Sequence, residues 1–107
     1  MANTFKRKFL VSSGTAANAI VATTSSQTTI IGMSIANITA NPILANVTVT
    51  SGATNSTFFM MYKAQIPIGS TLVPVGGDQK LVLESDDYVQ VETSGAAHVI
   101  TSFVEIT

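Results

Sequence analysis

Residues 66–93 read IPIGSTLVPVGGDQKLVLESDDYVQVET. They form three short apolar segments separated by two turns, Gly76-Gly77-Asp78 and Glu84-Ser85-Asp86-Asp87. Both turns are typical of chain reversals, because glycine accepts left-handed backbone and aspartate bonds its own backbone two positions on. After the second turn Val89 and Val91 alternate with polar neighbours, and this period of two indicates a half-buried strand. The stretch therefore predicts an antiparallel β meander.

The composition predicts a single all-β domain. The chain has 107 residues, enough for one core. Threonine, valine and isoleucine supply 36 of them, and these β-branched side chains suit a pleated sheet better than a helix. Charged residues make up 10%, well below the roughly 25% typical of a soluble domain. We therefore expect a surface rich in serine, threonine and asparagine side chains and partly covered by other subunits.

Charge is unevenly distributed along the chain. The net charge of −1 argues against a general nucleic-acid-binding protein. Lys6, Arg7 and Lys8 are three of the five basic residues, and all six acidic residues lie within 78–105. This asymmetry predicts either a basic arm facing an acidic surface on a neighbouring copy or a solvated N-terminal tail.

The N-terminal region resembles a secretory signal only superficially. The apolar run that follows Lys8 ends after three residues at Ser12-Ser13-Gly14, whereas a signal needs about 7–15 apolar residues. No stretch approaches the ~20 apolar residues of a membrane-spanning helix. We expect a chain without a signal peptide and without a membrane partner.

Residue chemistry gives no catalytic or metal site. Cysteine is absent, so disulfides and thiolate sites are excluded. His98 is the single histidine, and no Gly-x-Ser-x-Gly nucleophile motif accompanies it. The acidic residues near Asp86 match no calcium-loop spacing and are ordinary turn residues. We predict that the protein is not an enzyme and holds no cofactor or metal.

Alternating segments recur along the whole chain. Six further strands are predicted at 4–11, 19–24, 28–38, 44–50, 57–66 and 97–106. Together with the meander they make eight or nine short strands, the pattern of an antiparallel β-sandwich or jelly roll. The strands at 28–38 and 44–50 are predicted to pair as a hairpin. Residues 1–12 are predicted as an N-terminal arm or edge strand, and residues 13–107 as one sandwich domain.

The strand at 28–38 has two different faces. Ile31, Met33 and Ile35 are predicted to face the core. Ile30 and the small residues at 32, 34 and 36 share the other face. Small side chains on that face would let another backbone approach closely, from the same chain or from a second copy.

Phe59 and Met61 are predicted to share one face of the strand at 57–66, opposite Phe58 and Met60. On a lone chain they would form an exposed apolar patch, which soluble proteins generally keep for contact surfaces. The strand is therefore either central and covered on both faces or part of a subunit interface.

Several segments resemble one group of viral proteins. Ile66-Pro67-Ile68-Gly69-Ser70, the segments 76–84 and 99–106, and the opening residues 1–6 are similar to small virion proteins of tailed bacteriophages that infect cyanobacteria. That group usually has Gly-Asp in the second turn, where this chain has Asp86-Asp87. The resemblance implies a structural protein of the phage particle, made in the host cytoplasm, and leaves its position on the particle open.

The resulting hypothesis is a homo-oligomeric capsid decoration, or cement, protein, with a trimer favoured. In this hypothesis Phe59 and Met61 contact a neighbouring subunit. The segment that ties the domain to the major capsid protein consists of Phe5, Lys6, Arg7, Lys8 and Phe9.

Two alternatives remain open. One is a neck, tail or fibre-adaptor ring protein. The other is a carbohydrate-binding module of a tail fibre, against which the absence of tryptophan counts, since only Tyr62 and Tyr88 could stack on sugars.

Overall fold

The computed structural model describes residues 3–14, 17–21, 27–76 and 80–106. All regular secondary structure in these residues is β-strand. The strands described are β1 (Asn3–Ser12), β2 (Ala17–Val21), β3 (Gln27–Asn37), β4 (Ile43–Thr50), β5 (Thr57–Ile66), β6 (Thr71–Val75), β7 (Leu81–Leu83), β8 (Tyr88–Thr93) and β9 (Ala97–Ile106). They form two antiparallel sheets packed together. The predicted all-β sandwich is confirmed.

The two sheets interleave early and late strands. Sheet A has the order β1-β9-β3-β6, with β7 also paired to β3, and sheet B has the order β2-β8-β4-β5. Among the described strands, β4 and β5 are the one consecutive pair that is hydrogen-bonded. The other connections cross between the sheets, apart from the one between β6 and β7. This is the strand order of a jelly roll, a double-sheet architecture of two Greek keys.

The strand positions were predicted well, but two predicted pairings are wrong. The stretch 66–93 is not a meander, because β6 and β7 both pair with β3 whereas β8 lies in sheet B between β2 and β4. The predicted hairpin of β3 and β4 is also wrong, since these strands belong to different sheets. Residues 22–26 and 77–79 lie outside the described residues, and with them the end of the predicted strand at 19–24 and most of the predicted turn at 76–78.

A buried asparagine holds the crossing from β3 to β4. The Asn37 side-chain nitrogen donates hydrogen bonds to the carbonyl oxygens of Asn41 (2.8 Å), Ile66 (3.0 Å) and Pro67 (3.3 Å). Its Oδ1 accepts from the backbone nitrogen (2.8 Å) and the hydroxyl (2.7 Å) of Thr39. These bonds close a corner that turns the chain from sheet A into sheet B and fasten it to the end of β5.

The crossing from β7 to β8 uses an aspartate in the same way. Asp87 Oδ2 accepts from the Glu84 backbone nitrogen at 3.0 Å, and Oδ1 accepts from the Gly52 backbone nitrogen at 2.9 Å. The turn is thereby attached to the loop between β4 and β5. At Asp86 the backbone is left-handed, with φ 69°, a conformation that aspartate tolerates better than most residues.

The core lies between the sheets and consists of aliphatic side chains from seven of the described strands. Its fully buried members include Ile30, Ile35, Val47, Val89 and Val99. The predicted inward positions of Met33 and Ile35 are confirmed, but Ile30 is buried and Ile31 only half-buried, the reverse of the prediction. The register of β3 against β9 shifts between Ile30 and Gly32. Such a bulge exchanges the two faces of a strand.

Candidate interaction surface on sheet A

The outer face of sheet A carries large apolar side chains that no described part of the chain covers. Phe5 is 76% exposed, Phe9 61% and Ile100 47%. Val11 and Val73 on the same sheet are also exposed. We call this surface the apolar face. Its large residues are Phe5, Phe9, Val11, Val73 and Ile100, and its small residues are Gly32, Ser34 and Ala36.

The apolar face has relief. Phe9 pairs with Ile100 across β1 and β9, and Ile100 pairs with Ser34 across β9 and β3. Large side chains therefore stand on β1 and β9, and small ones on β3. A groove of about 270 Å³ follows the small residues, with Gly32 and Ser34 as its floor and Val73 and Ile100 among its walls. A Cβ atom added to Gly32 would meet its nearest neighbour only at 4.0 Å.

The outer face of sheet B is different in character. The Asn46 amide donates to Glu92 at 3.1 Å and accepts from the Lys63 backbone nitrogen at 2.7 Å. The Gln90 amide donates to Asn18 at 3.0 Å. Here polar side chains are bonded to one another across neighbouring strands, and exposed aromatic residues are confined to the edge strand β5, where the rings of Phe59 and Tyr62 lie 4.9 Å apart. The two sides of the sandwich are therefore unequal.

The predicted interface segment at 5–9 is divided between the two faces of β1. Phe5, Arg7 and Phe9 point away from the core, and the Arg7 guanidinium lies 4.4 Å from the centre of the Phe9 ring. Lys6 instead makes an ion pair of 3.0 Å with Glu105 of the same chain, and Lys8 donates to the Asn18 carbonyl oxygen at 3.1 Å. Two of the three basic residues are thus engaged within their own chain rather than displayed with the aromatic rings.

Phe59 and Met61 do not share a face, contrary to the prediction. Met61 lies opposite the buried Val47, and Phe59 lies opposite Thr48. The register of β5 against β4 shifts twice, and Lys63 has a left-handed backbone with φ 51°. Because each bulge breaks the period of two, Met61 packs on the core while Phe59 stays 56% exposed.

This difference between Phe59 and Met61 is testable. Met61→Ser should lower the free energy of unfolding by about 1–2 kcal/mol, because it removes a partly buried side chain from the core. Phe59→Ser should lower it by less than about 1 kcal/mol, because the Phe59 ring is 56% exposed and loses only a surface edge-to-face contact with Tyr62. Urea denaturation of both variants at one protein concentration makes the comparison. Equal losses for the two would contradict the assigned faces.

The structure adds surface residues that the sequence argument did not assign to an interface. Val11, Val73 and Ile100 join the aromatic residues of β1 on one surface. The sequence contained part of this information, since the small residues of β3 were predicted to let another backbone approach closely. What the sequence did not reveal is that β3 lies between β9 and β6, where its small residues form a groove.

Catalytic and metal chemistry have little support in the described residues. His98 is exposed and lines a shallow depression with Phe9, Val11 and Ile100, without an acidic or serine neighbour in that lining. Nowhere in the described ranges do three or more histidine or acidic side chains gather as a metal site would require. The same residues include no helix of the length and hydropathy needed to span a membrane.

Comparisons with known proteins leave the surface as the main evidence. Scans against protein-family models, curated protein sequences and solved structures return no match to this chain. The geometry of the apolar face therefore carries the functional argument.

Proposed function

We propose that this chain is a non-enzymatic structural protein of a tailed-bacteriophage virion, a homo-oligomeric decoration protein that stabilises the capsid. The observation that carries the proposal is the exposed apolar face. Monomeric soluble proteins rarely leave so many large apolar side chains together in water, and such patches mark contact surfaces. A protein whose work is to bury surface against its neighbours needs this feature and no catalytic group.

Two further features support the proposal. The jelly roll is an architecture of viral capsid domains, as well as of lectins and other proteins, so this support is by analogy of fold. The resemblance of segments 66–70, 76–84 and 99–106 to phage virion proteins points to the same class. The low content of charged residues, 10%, also suits a chain whose surface is largely in contact with other subunits.

Copy number in purified particles tests the proposal. A decoration protein should approach the major capsid protein in abundance, because it covers the shell repeatedly. Quantitative mass spectrometry of purified virions makes the measurement. A handful of copies per particle would contradict the decoration role and favour a neck, tail or fibre-adaptor ring, and complete absence from the particle would overturn the proposal.

The heat stability of the particles gives a functional test of the proposal. Particles assembled without the protein should release their DNA at a lower temperature than complete particles, and addition of the purified chain should restore the difference. DNA release on heating can be followed by a DNA-binding dye. An unchanged release temperature in particles that lack the protein would contradict a stabilising role.

A further inference from the structure

We infer that two copies of this chain pack their apolar faces against each other around a two-fold axis. The inference names the partner of the surface described above, and it rests on the proposed function for the expectation that this surface is covered in use. Three observations favour a second copy as the occupant: the size of the face, its shape and its charge.

The size of the apolar face matches what a stable dimer needs. Strands lie about 4.8 Å apart and rise about 3.3 Å per residue, so the four strands β1-β9-β3-β6 present roughly 20 by 30 Å. Two such faces would bury about 1,200 Å² together, the lower end of the range for specific interfaces. A smaller apolar patch would not reach this range.

The shape of the apolar face is self-complementary. Consider a two-fold axis that runs parallel to the strands, between β9 and β3. It places β9 of one copy over β3 of the other, and β1 over β6. Ile100 then enters the groove above the partner's Ser34, and Phe9 stands over the partner's Val73. Both halves of the fit, the large residues and the groove, lie on the same surface, as an isologous contact requires.

The charge of the apolar face does not oppose the contact. Among the described residues on the outer side of β1, β9, β3 and β6, Arg7 and His98 are those with ionisable side chains, and Arg7 lies on the edge strand β1. Under the proposed axis the two Arg7 side chains are on opposite flanks, about three strand spacings or ~14 Å apart, beyond the Debye length at physiological salt. Arg7 is also stacked on Phe9, so its apolar edge is available to the interface.

Solution mass and two matched substitutions test the inference. The purified chain should sediment as a dimer, at twice the 11.1 kDa of one chain. Ser34→Arg fills the groove with a long cationic side chain and should raise the dissociation constant at least about 100-fold. Thr48→Arg makes the same change in charge on sheet B and should leave the dissociation constant within about threefold of the original.

A second variant guards against misfolding of Ser34→Arg. Ile100 is already about half exposed, so Ile100→Lys should keep the fold, judged by circular dichroism, and still abolish the dimer. A monomeric or trimeric original chain would overturn the inference. So would a dimer that survives both Ser34→Arg and Ile100→Lys, or one that Thr48→Arg disrupts equally.

Cross-linking tests the direction of the axis. Because the native chain has no cysteine, a thiol cross-link can form only at the introduced cysteines. Facing sheets lie about 10 Å apart, so a short thiol-specific cross-linker is needed rather than a disulfide. A mixture of Phe9→Cys and Val73→Cys chains should cross-link, whereas Phe9→Cys alone should not. Efficient cross-linking of Phe9→Cys to itself would overturn the proposed axis.

The outcome is separable from that of the proposed function. A chain that is monomeric in solution yet abundant in purified virions overturns the two-fold contact and leaves the virion role standing. A chain that is dimeric in solution but absent from purified virions overturns the virion role and leaves the two-fold contact standing.

Discussion

Asn37→Leu should lower the free energy of unfolding by about 3 kcal/mol or more. Leucine has the same number and branching of side-chain heavy atoms as asparagine, so the change removes hydrogen bonds without opening a cavity. The side chain of Asn37 satisfies the buried carbonyl oxygen of Ile66 and the backbone nitrogen of Thr39. A buried polar group that loses its partner costs about 1–3 kcal/mol, and here at least two groups lose theirs at once.

The matched control for Asn37→Leu is Asn46→Leu. Asn46 also makes hydrogen bonds in both directions, to Glu92 and Lys63, but in exposed surroundings. Water can replace those partners, so the loss should stay below about 1 kcal/mol. Urea denaturation with an unchanged m-value measures both. Protein concentration must be matched, because association adds to apparent stability. Similar losses for the two variants would show that the corner is not the special feature.

Gly52→Ala should cost about 2–3 kcal/mol. A Cβ atom on Gly52 would overlap the backbone of Asp86, coming within 2.5 Å of its carbonyl carbon. Both sides of this contact are main chain, so the loop between β4 and β5 must move away from the turn that follows β7. Movement would also stretch the 2.9 Å bond from the Gly52 nitrogen to Asp87, adding the loss of a charge-assisted hydrogen bond to the steric cost.

Gly32→Ala is the control for Gly52→Ala. A methyl group there meets nothing closer than 4.0 Å, and a strand favours alanine slightly over glycine. At a protein concentration low enough to keep the chain monomeric, we expect a change in unfolding free energy within about 0.5 kcal/mol. Thermal or urea unfolding of the two variants separates steric overlap from a general effect of replacing glycine. A Gly52→Ala chain as stable as the original would mean that the loop and the turn are not held together.

Strand positions could be read from the sequence because alternation is a local property. The strand predicted at 57–66 coincides with β5, and that at 97–106 coincides with β9. Val89 and Val91 on β8 are buried as their alternation predicted. On β8 and in the first half of β9 the buried side chains recur every second residue, which is visible in any short window of sequence.

The connections could not be read from the sequence in the same way. Gly, Asn and Asp show that the chain reverses, but not whether it returns within one sheet or crosses to the other. At Asn37 and Asp87 the choice depends on bonds to Ile66 and Gly52. These partners are distant in the chain, so the turn residues themselves do not contain the information.

The candidate surface was predicted in part. The aromatic residues of β1 were assigned to an interface because they sit beside basic residues in an unusual segment. Phe59 and Met61 were placed on one face because bulges at non-glycine positions such as Lys63 leave no mark in the sequence. The groove of Gly32 and Ser34 became meaningful only once the sheet order set Ile100 and Val73 on either side of it.

The place of β9 has a consequence for biosynthesis. β9 lies between β1 and β3, yet it is translated after both. Sheet A therefore cannot be completed on the nascent chain until residues 97–106 have left the ribosome, although β3 can pair with β6 and β7, and β4 with β5, earlier. Pairing of distant segments is slow. Until then the aromatic residues of β1 can bind chaperones or the β1 of another nascent chain. Folding of β1 into sheet A can compete with such aggregation only after β9 has been translated.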